Sequence, residues 1–331
     1  MKKFQIVTIG GATRDINFFT RRAKVIATPE DLTSQKMIAF EYGAKLISEK
    51  VNFTLGGGAC NASVCLARLG LKVASIACVG KDREGDSVLI NLQREGVDPS
   101  LMKKADHYAT GFSFVITDET SKEHVIFLNR GANEYFRVKK GEWKGVNSDW
   151  LYVTSLSGKR WPEISDEILR VLKNKKIKLV WNPGETQLKM GKRGLNKLLK
   201  FTDILILNKD ESIELVLSSQ GRIKGINNSR VLLKTIHQWG PKIFVLTNGR
   251  HGAYAYDGNK IYFSPIFQSK VIDTTGAGDC FGSSFLAGMI LFKGDIHKAI
   301  KLGIYNTSSL VTVAGAQNGL LTKKDLKKYF K

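Results

Sequence analysis

The sequence contains few cysteines, and none of them has the spacing of a metal or redox motif. The four cysteines stand singly in apolar stretches without a CxxC pair, at Cys60, Cys65, Cys78 and Cys280. We therefore expect buried, reduced thiols and not a disulfide framework. A chain of 331 residues can bury enough apolar surface to fold without such cross-links.

Long apolar runs are also missing. No stretch approaches the roughly 18 consecutive apolar residues that a membrane-spanning helix needs. The N-terminal MKKFQIVTIGG has an apolar run too short for a signal peptide and no small-residue cleavage site, so we interpret it as a first strand. These features predict a cytoplasmic protein that makes no membrane contact.

Acidic residues are scarce relative to basic ones. Asp and Glu number 30 against 51 Lys and Arg, which gives a formal net charge of +21. Such an excess permits nucleic-acid binding, but the lysines are dispersed and no helix-turn-helix, zinc-finger or RNP-like motif accompanies them. A nucleic-acid-binding protein stays open as the alternative from a different functional class, whereas a hydrophobic fraction of 43% argues against disorder.

Short β-branched segments alternate with helical patterns along most of the chain. The predicted strands share continuous apolarity and lie near 6–10, 73–80, 151–156, 177–182, 203–208 and 242–249. Helical patterns fall between them, at 59–69, 163–173, 210–217 and 229–239. Strands that are apolar on both faces are typical of a parallel sheet flanked by helices. The alternation predicts a doubly wound α/β fold.

Two segments break this alternation. Residues 108–128 contain two strand-like runs around a polar turn at Asp118–Lys122, and residues 18–55 lack a clear helix–strand order. Within the second segment, residues 30–48 have helical as well as strand character. We expect 18–55 and 108–128 to form a small β-sheet lid on an α/β core of 1–17, 56–107 and 129–331.

The most informative stretch for chemistry is DTTGAGDCFGSSFLAG at 273–288. Small residues from Thr275 to Gly278 lead directly into a helical pattern, so free backbone N–H groups and the helix dipole would attract an anion there. Asp279, in the first turn, adds a carboxylate suited to accepting a proton from an alcohol. The pair indicates phosphoryl transfer to a hydroxyl, and the alternative is a helix cap beside a tight turn.

A second glycine cluster, Gly56 to Gly58, precedes Asn61 and another helical pattern. Glycines allow the backbone to approach a ligand closely, and Asn61 can both donate and accept hydrogen bonds. The usual nucleotide motifs are absent, since neither GxxxxGK[ST] nor GxGxxG occurs in its required place.

Together these segments resemble the ribokinase-like, or PfkB, family of carbohydrate kinases. GGGACNASVCLARLG at 56–70 resembles the first family signature, and 273–288 matches the second almost letter for letter. Between them, NKDE at 208–211 resembles the NxxE motif, and TNGRHG at 247–252 resembles the TxGxxG nucleotide segment. The resemblance extends from Gly10 to about Gln317 and implies a ribokinase-like fold with a β-sheet lid.

The resemblance also implies roles for individual residues on the phosphate side. Asp279 would be the general base, and the amides of Gly276, Ala277 and Gly278 would form the anion hole. The ATP-binding residues would be Asn208, Glu211, Thr247, Gly249, Gly252, Thr275 and Asn306. Glu211 would hold Mg²⁺ through water, and Asp273 with the carbonyl of Thr275 matches the family's potassium site.

On the acceptor side, the matching positions are Asp15, Gly57, Gly58, Asn61 and Asn133. Arg130, close to Asn133, is a further candidate, although a solvated arginine explains it equally well. In this family the lid often pairs subunits, which implies a homodimer. The implied partner is a small sugar or nucleoside, without a membrane or a specific nucleic acid.

The sequence departs from ribokinases proper at Thr13, where they carry Asn, and at Gly58, where they carry Lys. The acceptor therefore stays open. The first hypothesis is an ATP-dependent kinase acting on a sugar hydroxymethyl group. A nucleoside kinase is the second, with Tyr108, Phe112 and Phe114 available to stack on a base. The third is a 2-keto-3-deoxygluconate-type kinase, in which Arg130 would pair with a carboxylate.

Overall fold

The computed structural model describes residues 2–27, 36–120, 124–156, 160–174 and 176–329. The strands are β1 (Phe4–Ile9), β2 (Thr13–Thr20), β3 (Lys24–Ala27), β4 (Lys36–Ala39), β5 (Lys50–Gly56), β6 (Val73–Ile76), β7 (Cys78–Gly80), β8 (Lys103–Ala105), β9 (Gly111–Asp118), β10 (His124–Asn129), β11 (Ser148–Val153), β12 (Lys178–Trp181), β13 (Ile204–Asn208), β14 (Ile243–Thr247), β15 (Ala253–Tyr256) and β16 (Ile261–Ser264).

The helices fall mainly between the strands of the core. They are α1 (Gly58–Arg68), α2 (Arg83–Arg94), α3 (Trp161–Asn174), α4 (Glu185–Leu188), α5 (Gly191–Leu199), α6 (Lys209–Gln220), α7 (Ser229–His237), α8 (Ala277–Leu291), α9 (Ile296–Leu310) and α10 (Lys323–Tyr329). Short 3₁₀ turns cover Gly131–Asn133, Glu142–Gly145 and Gly249–His251. Among these described helices, none is long and apolar enough to cross a membrane.

The large sheet runs in the order β16-β15-β14-β13-β12-β11-β1-β6. The pairs from β14 to β6 are parallel, and β15 and β16 extend the edge antiparallel. Successive side chains along a strand of this sheet pack into two different hydrophobic cores. Leu151 and Trp181 lie in one core, and Tyr152 and Val180 lie in the other. Both faces are therefore covered by helices, which confirms the doubly wound fold.

A smaller sheet, with the order β10-β9-β2-β5, stands apart from the large one. Its register places Asp15 opposite Thr54 and Ser113, whereas Ile16 lies opposite Phe53 and Phe114. Successive residues of a strand point to opposite faces. We call the face with Asp15, Thr54 and Ser113 the polar face, although Ile126 and Leu128 of β10 also lie on it, and the opposite face, with Ile16, Phe53 and Phe114, the apolar face.

The edges of the small sheet differ from the predicted lid boundaries. Strand β2 begins at Thr13, so residues 13–17 belong to this sheet and not to the core segment 1–17. Within 36–48, the described part of the ambiguous segment, the chain forms strand β4 and no helix. Residues 30–35 and part of the turn at Asp118–Lys122 lie outside the described residues. The four cysteines are free and buried, as expected.

Candidate active site

Most of the predicted site residues gather at the carboxyl ends of the parallel strands. Asn208 and Thr247, at the ends of β13 and β14, are directly paired in register. Strand β1 lies where the strand order reverses, between β6 and β11, and its chain then enters the small sheet. Doubly wound sheets bind ligands at such a switch point, outside the carboxyl ends of the strands. The fold therefore brings the phosphate and acceptor halves of the predicted site to one edge.

The loop before α8 presents backbone N–H groups at a helix N-terminus. Gly276, the N-cap, has a φ of 74°, a left-handed conformation that favours glycine. The surroundings of Gly278 are open, because a Cβ added there would meet no atom within 4 Å. The amide of Ala277 donates to the carbonyl oxygen of Thr274 at 3.1 Å. Of the three predicted anion-hole amides, that of Ala277 closes the turn, which leaves those of Gly276 and Gly278 for a ligand.

Asp279 lies half-buried in the first turn of α8, beside this anion site. Its Oδ2 accepts a hydrogen bond from Asn61 Nδ2 at 2.9 Å. Burial raises the pKa of Asp279, the hydrogen bond from Asn61 opposes the rise, and the negative charge of Asp15 adds to it. A carboxylate with a raised pKa is a stronger proton acceptor, as general-base catalysis on an alcohol requires.

Asp15 lies buried on the polar face of the small sheet. Its Oδ1 accepts hydrogen bonds from Ser113 Oγ at 2.7 Å and Thr13 Oγ1 at 3.1 Å. Burial raises the pKa of Asp15, the bonds from Ser113 and Thr13 and the charge of Arg14 lower it, and the charge of Asp273 raises it. Both hydroxyl bonds go to Oδ1, whereas Oδ2 lies beside Gly56, where an added Cβ would be 2.0 Å from it.

The glycine cluster allows α1 to begin very close to the rest of the site. A Cβ added at Gly57 would lie 2.6 Å from the carbonyl carbon of Gly11, and Gly57 itself has a φ of 90°. A Cβ added at Gly58 would lie 2.5 Å from Thr154 Oγ1 and 3.3 Å from Asp279 Oδ1. The first turn of α1 therefore contacts both the loop after β1 and the predicted base.

Asn133 lies beneath the loop that joins the core to the small sheet. Its Oδ1 accepts from the amide of Ala12 at 3.0 Å, and its Nδ2 donates to the Ala12 carbonyl at 2.7 Å. This reciprocal pair fixes the chain shortly before Asp15. Arg130 lies near Asn133 in the chain but faces Glu134, with Nη1 3.6 Å from that carboxylate. The structure thus assigns Asn133 a supporting contact, and its substrate contact stays a prediction.

Asn208 and Glu211 form a reciprocal capping box at the start of α6. The Asn208 amide donates to Glu211 Oε2, and the Glu211 amide donates to Asn208 Oδ1, both at 2.8 Å. Burial raises the pKa of Glu211, the hydrogen bond from the Asn208 amide opposes the rise, and the charges of Glu214, Asp210 and Asp279 add to it. A cation would relieve this repulsion, and carboxylate oxygens are the ligands that Mg²⁺ prefers. The donor set therefore fits a magnesium ion held through water.

The nucleotide segment follows β14 as a tight turn. Gly249 opens a 3₁₀ turn, and the amide of Asn248 donates to the carbonyl of Gly252 at 2.9 Å. Thr247 is half-buried and Gly249 is exposed. These residues therefore lie next to Asn208 at the sheet edge, with surface available to a ligand.

Asp273 links two loops behind the anion site. Its Oδ1 accepts from the amide of Thr275 at 2.9 Å and from Thr275 Oγ1 at 2.6 Å. Its Oδ2 accepts from the amide of Gly315 at 2.8 Å. The two residues predicted to bind potassium are therefore adjacent, and they connect to the loop that follows α9.

Asn306 does not join the other predicted ATP-binding residues. Its side chain is fully buried, and its Nδ2 donates to Ser284 Oγ at 2.8 Å and to Cys65 Sγ at 3.3 Å. Its Oδ1 accepts from the amide of Leu321 at 2.7 Å. With no accessible surface, the side chain fixes the C-terminal segment to the core and cannot contact adenine in this structure.

Two site residues were missed in the sequence. Ser113 bonds to Asp15 although 98 positions separate them, and Thr154 packs against Gly58 from the end of β11. Ser113 lies in an ordinary strand pattern, so its role follows only from the pairing of β2 with β9. Thr154 lies within the predicted strand 151–156 and directly follows the observed strand β11, and its place near a carboxyl end was a usable signal.

Comparison with known proteins gives one consistent result. The model of the pfkB family carbohydrate kinase matches residues 28–323. The chain is 29% identical over 293 residues to a ribokinase of Haemophilus influenzae, covering 86% of this chain and 89% of that protein. It is 26% identical over 344 residues to a 5-dehydro-2-deoxygluconokinase of Clostridium perfringens, covering 100% and 94%.

A solved structure shows the same architecture. The ribokinase of Arabidopsis thaliana, complexed with ribose and ATP, superposes with a TM-score of 0.81 at 20% identity and covers 100% of this chain and 99% of that one. At this identity the likeness establishes the fold.

Proposed function

The chain belongs to the pfkB family of carbohydrate kinases, and on this basis we propose that it transfers the γ-phosphoryl group of ATP to a sugar hydroxymethyl group. As a member of that family it is a phosphotransferase with an alcohol acceptor. The observation that carries the proposal is the position of Asp279 in the first turn of α8, directly after Gly276 and Gly278, with its carboxylate hydrogen-bonded to Asn61.

In the proposed reaction, Asp279 accepts the proton of the attacking hydroxyl. The amides of Gly276 and Gly278 bind the transferring group, whose charge the N-terminus of α8 also stabilises. Little covalent chemistry is needed from the protein, because phosphoryl transfer depends mainly on positioning and on charge stabilisation.

ATP would lie along the edge formed by Asn208, Thr247, Gly249, Gly252 and Thr275. Glu211 would hold Mg²⁺ through water, and the ion would neutralise charge on the phosphate oxygens when bound. Asp273 and the carbonyl of Thr275 would hold a potassium ion behind the anion hole. The links from Asp273 to Thr275 and Gly315 support this assignment, because one ion there would order both loops.

The faces of the small sheet favour a hydroxyl-rich acceptor over a nucleoside. Asp15, Ser113 and Thr54 share the polar face with the oxygen atoms a sugar needs, whereas Phe112 and Phe114 alternate onto the opposite, apolar face. Two of the three aromatic residues expected to stack on a base therefore point away from Asp15, and the third, Tyr108, stacks on Tyr135. Arg130, the expected partner of a sugar acid, faces Glu134.

The Asp279→Asn variant tests the mechanism. Because the amide cannot act as a base, we expect kcat to fall by about 10²- to 10⁴-fold while ATP binding is retained. The assay measures ADP release with a panel of pentoses, hexoses, nucleosides and sugar acids, and ATP affinity is measured by calorimetry. Near-normal turnover in this variant would rule the mechanism out, and a preference for nucleosides would replace the proposed acceptor.

We also propose that the molecule is a homodimer joined through the small sheet. Its apolar face exposes Phe53, Phe112, Phe127 and Val125. A contiguous exposed apolar patch is typical of a protein interface.

A further inference from the structure

Gln317, in the segment that follows α9, connects the predicted base to the surface through its side chain. The residue is only 8% exposed. Its Nε2 donates to Asn61 Oδ1 at 3.1 Å, and its Oε1 accepts from Asn91 Nδ2 at 3.1 Å. Asn91 Oδ1 accepts in turn from Arg94 Nη2 at 2.9 Å. A line of three amides thus runs from an arginine to Asp279.

This line of amides has a single possible direction. A guanidinium can only donate, so Asn91 must turn its oxygen toward Arg94 and its nitrogen toward Gln317. Gln317 then presents its own nitrogen to Asn61, and Asn61 presents its nitrogen to the carboxylate at the other end. An ionised carboxylate can only accept, so both ends of the line require the same orientation.

The backbone around Gln317 holds this side chain in place. The Gln317 carbonyl accepts from Arg68 Nη1 at 2.7 Å, and Arg68 Nε bonds to Glu95 at 2.7 Å. The preceding residue, Ala316, lies very close to Gly276. A Cβ added at Gly276 would be 2.6 Å from the Ala316 Cβ. The segment that carries Gln317 therefore also packs against the start of the anion hole.

We infer that Gln317 is a positioning residue, which holds the Asn61 amide with its NH₂ group toward Asp279 and thereby favours the ionised form of the base. The inference rests on the proposed role of Asp279. The other titratable groups that act on Asp279 are Asp15 in β2, Glu211 in α6, Cys60 in α1 and Tyr152 in β11. None of them is altered by a substitution at position 317.

The Gln317→Glu variant tests the inference with a nearly isosteric change. An ionised carboxylate facing Asn61 Oδ1 would turn the Asn61 amide around, so that its oxygen faces Asp279; the added negative charge acts in the same direction, and the pKa of the base rises. The uncharged variant Gln317→Met separates the orientation of Asn61 from this added charge. We expect the acidic limb of the kcat/KM profile for the acceptor to move upward by about one to two pH units. In Gln317→Met, only the carboxylate of Asp279 remains to orient the Asn61 amide. We expect the acidic limb of this variant to move in the same direction by a smaller amount.

Gln93→Glu is the matched control, because it makes the same chemical change at an exposed position of α2. Its pH profile should equal that of the wild type. A wild-type profile for folded Gln317→Glu, beside an inactive Asp279→Asn variant, would overturn the inference and leave the proposed function intact. Full activity of Asp279→Asn would instead overturn the function itself.

Thermal unfolding separates these outcomes from misfolding. If Gln317→Glu does not fold, the folded Gln317→Met variant decides: an upward shift of the acidic limb supports the inference. A wild-type limb, or a fall in kcat at every pH without a shift, overturns it, since a purely structural role would not change the pKa of the base.

Discussion

At the scale of single residues, Asp279 reduces the stability of the fold that holds it. Burial and the charge of Asp15 raise its pKa in the folded protein, so ionisation is less favourable there than in the unfolded chain. Its contribution to stability is largest below the unfolded pKa and is lost as the pH rises through the folded value. We predict that Asp279→Asn raises Tm at pH 7 by a few degrees, about 2–4 °C, with a smaller gain at pH 5.

Asp82 provides a control, because its pKa shift and the expected change in Tm have the opposite sign to those of Asp279. Burial raises its pKa, but hydrogen bonds from Thr110 and Gly85 outweigh burial and hold the pKa below its ordinary value. The charged form therefore stabilises the folded state above the unfolded pKa, and Asp82→Asn should lower Tm at pH 7. Calorimetry on both variants checks the pair, and a rise in Tm for both would contradict the assignment of these shifts.

At the scale of elements, the start of α1 is fitted against the end of β11. A Cβ added at Gly58 would lie 2.5 Å from Thr154 Oγ1 and 2.8 Å from Thr154 Cβ. This contact explains why the position that carries Lys in ribokinases has no room for a side chain here. We predict that Gly58→Ala displaces the first turn of α1 from Asp279 and lowers kcat/KM by at least about tenfold.

A second substitution distinguishes this packing effect from a general loss of structure. Adding Thr154→Gly removes both clashing atoms, so the double variant should recover part of the lost kcat/KM. Steady-state kinetics on the two single variants and the double variant measure the coupling. Strictly additive losses would show that Thr154 is not the obstacle.

The secondary-structure elements also show which features of the fold and of the site the sequence could predict. The strands of the large sheet and the helices between them follow from local apolar patterns, and the small-residue run before Asp279 predicts the N-terminus of α8. The small sheet begins at Thr13, five residues before the predicted lid boundary at residue 18, because only three residues separate β1 from β2 and the polar start of β2 has no continuous apolar run. The bond from Ser113 to Asp15 depends on strand register, and the burial of Asn306 depends on where the C-terminal segment packs, so neither has a local signature.

At the scale of the whole molecule, a strongly basic chain carries a group of carboxylates at the proposed site. The chain has a formal charge of +21, yet the side chains at the site edge include Asp15, Asp273, Asp279 and Glu211. A basic exterior can raise the local concentration of anionic nucleotide, whereas the carboxylates at the edge favour its complex with a divalent cation. The excess charge that suggested a nucleic-acid partner is therefore also compatible with the proposed kinase chemistry.

The proposed homodimer depends on the apolar face of the small sheet. Phe53 and Phe127 are 60% and 58% exposed, and they lie in one row with Ile16 and Phe114. We predict that the wild type sediments as a dimer and that the double variant Phe53→Lys with Phe127→Lys sediments as a monomer, because paired charges would be desolvated in the interface. Ile90→Lys, at an exposed apolar position of α2, should remain dimeric. A monomeric wild type, or a dimeric double variant, would show that this face does not join subunits.

If the dimer holds the lid over the acceptor, the monomer should also show a higher KM for the acceptor and an unchanged KM for ATP.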